Sequence, residues 1–211
     1  MKRRGFVAGI SGVLAAGSML SEEAKPALRI FLNHGAPEKS RANRLGSDAS
    51  FPVGFGRDGF RKEGQSFVGG SSLLGKFRVN AILTKKSFSM EEALIRQSGR
   101  SRAWLSEHLF ANMNSIDFDG DGKGGEYGAA FIGLEPLDTT SKQPFHFGEY
   151  KGVFRWYSYA IHGTQDEERI GKRITGGCIN VGEQDLEKLV QELEIGSEVE
   201  VVDARRSSIS D

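Results

Sequence analysis

The chain has 211 residues, enough for one domain with a proper core, and its 28 basic residues balance its 28 acidic ones. That balance supplies no global field for nucleic acid or an anionic membrane, so nucleic acid is not expected as a partner. Its 28 glycines against 5 prolines favour tight turns and β structure over helical bundles, and no stretch is long and apolar enough to span a bilayer.

Met1-Lys2-Arg3-Arg4-Gly5-Phe6-Val7-Ala8 opens the chain, followed by a weakly apolar run to Leu20. That layout reads as an export signal over residues 1–20, and the paired arginines look like the twin-arginine type. Lys2 stands where that type usually has Ser or Thr, and Ala16-Gly17-Ser18 offers small residues but no Ala-x-Ala. The expected location is the periplasm or cell envelope. A single free thiol, Cys178, is unusual in an oxidising compartment, and a catalytic role would explain it.

Leu28-Arg29-Ile30-Phe31-Leu32 predicts a first strand, ended by Asn33-His34-Gly35. Residues 36–71 are polar and glycine-rich, with Phe51-Pro52-Val53-Gly54-Phe55 as a short strand among loops. Lys76 to Leu83 alternates as a strand. Ser89-Met90-Glu91-Glu92 reads as a capping box opening a short helix through Arg96. A second helix is expected from Ser101 to Met113, with Leu105, Leu109 and Met113 on one face. Together these form a helical insertion over about 85–114, placed where it could cap a groove. Strand-like sequence resumes from Ala129 to Leu134, and Val153 to Ile161 reads as one aromatic and β-branched strand. The helix from Glu183 to Leu193 carries Leu186, Leu189, Val190 and Leu193 at i, i+3, i+4 and i+7. Gly196 turns into the strand Glu198-Val199-Glu200-Val201, and residues 203–211 form a polar tail. The sum is a mainly β domain over 28–202.

The chemistry concentrates near the C-terminal end. Ile161-His162-Gly163-Thr164 is followed, sixteen positions after the histidine, by Cys178 in Thr175-Gly176-Gly177-Cys178-Ile179-Asn180. A histidine on a strand end and a cysteine on a glycine-rich turn are the parts of a thiolate nucleophile with its base. Gly176 and Gly177 can take φ > 0, which would let the N–H groups of Gly177 and Cys178 converge on a developing oxyanion. A lone cysteine or histidine is more often a buried structural residue, and it is the paired spacing that reverses this.

Asp117-Phe118-Asp119-Gly120-Asp121-Gly122 places carboxylates at alternate positions with a glycine at the sixth, as a tight calcium loop requires. The closing glutamate is absent: position twelve is Gly128, and Glu126 falls at ten. Asp117, Asp119 and Asp121 are therefore candidates for one isolated structural calcium, against a solvated acidic turn closed by its own Asx bonds. His34, His108 and His146 lack zinc spacing and read as structural.

At these residues the sequence resembles the L,D-transpeptidases with the YkuD-type catalytic domain. Their signature is His-Gly, a spacer of this length, then Ser/Thr-His-Gly-Cys, an apolar residue, and Asn or Arg. Thr175, Gly177, Cys178, Ile179 and Asn180 match, while Gly176 replaces the usual second histidine. Ser72-Leu73-Leu74-Gly75-Lys76-Phe77 is similar to the family's TPxGxF turn and strand. The resemblance covers about 28–202, strongly in the C-terminal third and loosely between Val79 and Tyr150. It implies a YkuD-like β-sandwich or barrel with a helix after the cysteine, Cys178 as nucleophile and His162 as base. It also implies Gly177, Gly163, Thr175 and Asn180 around the oxyanion and substrate.

The implied substrate is a peptidoglycan stem tetrapeptide, cleaved between the third residue's L-centre and the terminal D-Ala to form a Cys178 thioester. An amine from a second stem would then form a 3-3 crosslink; water instead would make an L,D-carboxypeptidase. No cofactor is required by this chemistry. A wall-binding pseudoenzyme is the non-catalytic alternative, and an exported calcium-binding structural protein the other. The oligomeric state is not legible in the sequence.

Overall fold

Alternation along Leu28-Arg29-Ile30-Phe31-Leu32 makes β1 (Leu28–Leu32) a half-buried strand, with Leu28, Ile30 and Leu32 turned inward. The computed structural model describes residues 26–46, 49–62, 65–118, 120–138 and 145–207. The expected export signal and the last four residues of the tail lie outside them. After β1 come β2 (Arg41–Arg44), β3 (Ser50–Gly56), β4 (Phe60–Arg61), β5 (Ser72–Leu73), β6 (Gly75–Thr84) and β7 (Phe88–Met90). Helices α1 (Glu92–Ser98) and α2 (Arg102–Ser115) lead to β8 (Ala130–Pro136), β9 (His146–Tyr150), β10 (Val153–Tyr157) and β11 (Tyr159–His162). The remainder is β12 (Arg173–Thr175), β13 (Ile179–Val181), α3 (Glu183–Glu192), β14 (Glu198–Asp203) and α4 (Ala204–Ser207).

The ten-stranded main sheet runs β12-β3-β13-β11-β8-β6-β14-β1-β2, with β7 paired to β6, and β2 pairs back onto β3. That last pairing closes the sheet into a barrel and leaves the ring without a free edge. The fold is mainly β, and of the two expected forms it is the barrel.

Two apolar clusters share the sheet. The inner one includes Leu28, Ile30, Phe55, Phe77, Val79, Ile161 and Ile179. The outer one joins Ala81, Leu83, Phe131 and Trp156 to Leu105, Leu109 and Met113 of α2. Strand β6 serves both because its register with β8 shifts between Val79 and Ala81. The extra residue, Asn80, changes which face the alternation presents: Phe77 and Val79 point inward before it, Ile82 after it, with Ala81 and Leu83 outward.

The helices start and pack for local reasons. Ser101 caps α2 by accepting the Trp104 N–H at 3.2 Å. Helix α3 has no side-chain cap of its own, but the Glu167 carboxylate accepts its first N–H, from Glu183, at 2.9 Å. Its Leu186 and Leu189 are fully buried in the inner cluster. Truncating either to alanine would cost about 2–5 kcal/mol.

Four expectations are corrected. The Ser89 capping box does not form: Ser89 lies in β7 opposite Ile82, and α1 begins at Glu92 with no side-chain cap. Burial of Met90 against the sheet holds that segment extended. The single strand Val153–Ile161 is two strands divided at Ser158: β10 pairs only with β9, off the barrel, and β11 stays in it. The insertion does not reach the cavity that Cys178 lines, because α2 spends its apolar face on the outer cluster and on β10, with Trp104 edge-on to Phe154 at 5.3 Å. The tail begins as one helical turn, α4, where Asp203 accepts the Arg205 N–H at 3.1 Å.

Candidate active site

Parallel pairing of β11 with β13 builds the site. Ile161 is the register partner of Ile179, and His162 of Asn180. Side chains alternate across a strand, so both isoleucines enter the core while His162 and Asn180 share the opposite face. Cys178, one step before Ile179, falls on that same face. The sixteen-residue spacing is therefore a parallel crossover, returning through the 3-10 turn Glu167–Arg169 and β12 to bring Cys178 to the face that carries His162.

The imidazole is buried and its Nδ1 lies 2.6 Å from the Gly163 carbonyl oxygen. A carbonyl only accepts, so Nδ1 carries the proton and Nε2 presents a lone pair. Tyr127 meets the ring edge-to-face at 5.0 Å. Burial lowers the His162 pKa to about 4, with the Gly163 bond opposing the shift and the Arg169 charge adding to it. Cys178 is partly exposed, and its Sγ lies 3.7 Å from the Ser158 carbonyl oxygen, to which the thiol donates. Desolvation raises the thiol to about 11, against which the Ala160 backbone bond and the Arg155 charge act. At neutral pH the resting pair is a neutral imidazole and an intact thiol.

The turn that carries Cys178 is tied at several points. Thr175 Oγ1 donates to the Cys178 carbonyl at 2.6 Å and accepts the Gly177 N–H at 3.1 Å. Ser72 Oγ donates to the Gly177 carbonyl at 2.7 Å. Gly177 sits at φ +131, and a Cβ there would come within 2.7 Å of Phe67 and 2.8 Å of the Ser71 carbonyl. Only glycine fits. Gly176 is not in the left-handed region, is exposed, and would place a Cβ in open space. So the expected positive φ holds at Gly177 alone, and the Gly177 N–H is already committed to Thr175.

A cavity of ≈ 520 Å³ opens over the thiol, and His162, Cys178, Thr175, Gly176 and Asn180 all line it. Asn180 is 1% exposed, with its Oδ1 buried and without a hydrogen-bond partner. Gly163 and Gly177 stand behind this surface: Gly163 orients the imidazole and packs so close to Leu186 that a Cβ would come within 2.9 Å. The sequence reading missed much of the wall, namely Phe67, Phe118, Tyr127, Arg155, Tyr157 and the Glu126–Arg169 pair at 2.7 Å. The one available signal was alternation in β10, where Phe154 and Trp156 face the outer cluster while Arg155 and Tyr157 face the cavity. His146, read as structural, also reaches the cavity, stacked on Tyr157 at 4.6 Å.

The other expected features lie apart. His34 meets Phe60 edge-on and Arg173 at 3.1 Å, and His108 bonds the Trp104 carbonyl at 3.0 Å. In the acidic loop, Asp117 accepts the Gly120 N–H at 2.6 Å and the Gly122 N–H at 2.9 Å. Asp121 accepts from Lys123 at 2.8 Å, and Asp119 lies outside the described residues. Among the described residues no group of three potential metal ligands is assembled.

A family model described as the L,D-transpeptidase catalytic domain, YkuD, matches residues 38–201. A Fuscovulum blasticum protein of the ATP synthase subunits region, named as an L,D-transpeptidase, is 34% identical over 74 residues, covering 35% of this chain and 38% of its own. Bacillus subtilis (strain 168) YqjB, named likewise, is 39% identical over 49 residues, or 23% of this chain and 28% of its own. Among solved structures, L,D-transpeptidase 3 from Mycobacterium tuberculosis with a faropenem-derived adduct is 14% identical at TM-score 0.41, over 84% of this chain and 61% of that one. The chain thus matches less than two thirds of the length of each of these proteins.

Proposed function

The chain belongs to the L,D-transpeptidase catalytic-domain (YkuD) family, and from that premise we propose that it performs acyl transfer on peptidoglycan stem peptides through a Cys178 thioester. One observation carries this reading: the β11–β13 register sets thiol, imidazole and Asn180 on a single face that opens into the cavity. The thiol turns from Ser158 and passes its proton to His162 Nε2 as sulfur attacks the donor carbonyl carbon. The Cys178 N–H stabilises the oxyanion, since the Gly177 N–H is spent on Thr175. Collapse breaks the C–N bond, and the imidazolium returns its proton to the departing D-amino acid. A second stem's amine attacks the thioester, gives a proton to His162, and leaves a 3-3 crosslink and the free thiol. Water in the amine's place gives the L,D-carboxypeptidase outcome. Export to the cell envelope belongs to the same proposal and rests on the residue 1–20 pattern.

Mass spectrometry of the purified protein incubated with a stem tetrapeptide, and separately with a carbapenem, tests the reading. Expected are adducts on Cys178 with both, and from the tetrapeptide a released D-amino acid. An unmodified thiol with both reagents would leave the wall-binding pseudoenzyme.

A further inference from the structure

Arg155 stands out among the cavity residues because, among the described residues, its charge has no acidic partner. Its Nη2 donates to the Tyr127 hydroxyl at 3.0 Å. The guanidinium stacks over Tyr157 at 4.2 Å and Phe118 at 4.8 Å. Its Nε is buried with no hydrogen-bond partner. No carboxylate among the described residues pairs with it; Glu126, the cavity's acid, is taken by Arg169. A guanidinium cannot shed its proton, so this half-buried one keeps its full charge at the cavity wall with no anion beside it.

We propose that Arg155 is the residue that reads a carboxylate on the acyl-donor peptide, its free N–H edge pairing with that group while the scissile carbonyl lies at Cys178. Three features support this. Two aromatic faces and the Tyr127 hydroxyl fix the plane of the fork, so little rotamer freedom is lost when a carboxylate docks. Arg57 also lines the cavity, its contact with Asp58 at 3.9 Å is solvent-exposed, and Arg169 is matched by Glu126, so the lining is positive and suited to an anionic ligand. Arg155 is also near enough for its charge to act on the Cys178 thiol. Both residues line the one cavity, so a donor anchored at Arg155 lies in the same groove as the thiol. The carboxylate belongs either to the departing D-amino acid or to a residue on the acyl side of the scissile bond.

The inference rests on the stem-peptide reading, yet its test does not depend on catalysis. Calorimetry would measure peptide binding to the full chain carrying Cys178→Ala, with and without Arg155→Gln. The three ligands are an N-acetylated stem tetrapeptide with all carboxyls free, its C-terminal carboxamide, and the peptide with its internal carboxyls amidated. Arg155→Gln should weaken the free-acid peptide roughly 10–100-fold. The two proteins should bind one amidated peptide alike, and the identity of that peptide assigns the carboxylate. Arg155→Lys, which keeps charge without the fork, should lie between them and carries the test if the glutamine variant does not fold. Unchanged affinity, an equal loss on all three peptides, or no binding by the parent would overturn the proposal. Arg155-dependent binding without a thioester on the intact Cys178 protein would instead overturn acyl transfer alone.

Discussion

The Ser72 hydroxyl donates to the Gly177 carbonyl oxygen at 2.7 Å across 105 positions of sequence. A trans peptide points its N–H opposite its carbonyl, so this bond directs the Cys178 N–H away from Ser72. Ser72 also accepts the Gly56 N–H at 3.0 Å, which anchors the hydroxyl to β3. The Cys178 turn is thereby fixed from a strand far upstream.

Ser72→Ala is expected to cost about 1–3 kcal/mol, because it leaves two buried backbone groups without their partner. Acylation should slow by more than stability alone explains, and Ser72→Thr should recover most of both. Denaturant midpoints alongside acylation rates give the comparison; an alanine variant acylating at the parent rate would remove Ser72 from the argument.

Cys178→Ser should retain the fold and lose adduct formation, since a hydroxyl beside the same neutral imidazole is a far poorer nucleophile. Intact-mass measurement after peptide and carbapenem incubation reads it. Turnover by Cys178→Ala at the parent rate would sink the assignment.

His162 links stability to pH. Unfolded, the imidazole binds its proton near 6.5; folded, burial holds it unprotonated down to about 4. Between those values the unfolded chain alone takes the proton, so stability is unaffected above about pH 6.5 and falls as pH drops toward 4. The loss totals about 3 kcal/mol and levels off below that. Denaturant unfolding at pH 7 and pH 4.5 should show this decline in the parent and much less of it in His162→Ala. The same variant should be nearly inactive at neutral pH and gain activity only as the thiol ionises, toward about 11.

Gly176 and Gly177 should respond in opposite ways. Gly177→Ala meets Phe67 and the Ser71 carbonyl at φ +131 and should lower both melting temperature and acylation. Gly176→His adds a side chain to open space on the cavity lining, without backbone strain. It should leave the melting temperature unchanged while altering the acylation rate. Unaltered rate and stability there would place residue 176 outside the chemistry.

For the acidic loop we propose calcium as a structural ligand. Gly122, at the sixth position from Asp117, has φ +84 and gives its N–H to the Asp117 carboxylate, which wraps the loop as a calcium turn requires. At about 100 times its Kd the metal would add roughly 2.7 kcal/mol. Melting in millimolar calcium and in chelator should differ accordingly; identical curves would dispose of the site.

Much of this protein was written locally. The stripe Leu105, Leu109 and Met113 marked α2, Leu186 and Leu189 marked α3, and His162-Gly163 with Gly177-Cys178 marked two segments that the structure places on one cavity, because periodicity and turn chemistry act over a few residues. The failures were also local patterns, overridden at a distance. Ser89 matched a capping box but was drawn into β7 by pairing with β6, and Val153–Ile161 read as one strand although β10 finds its partner outside the barrel.

The sequence by itself determined the candidate chemistry: one thiol in the chain, one of four imidazoles at the right spacing, and a glycine turn beside the thiol. Only the tertiary structure decided what surrounds them. Closing β2 onto β3 and pairing β11 with β13 put Ser72 under Gly177 and Asn180 beside His162, while the hairpin of β9 and β10 laid Arg155 against Phe118 and Tyr127. Those neighbours are far apart along the chain, and strand register, not local pattern, sets which of them meet.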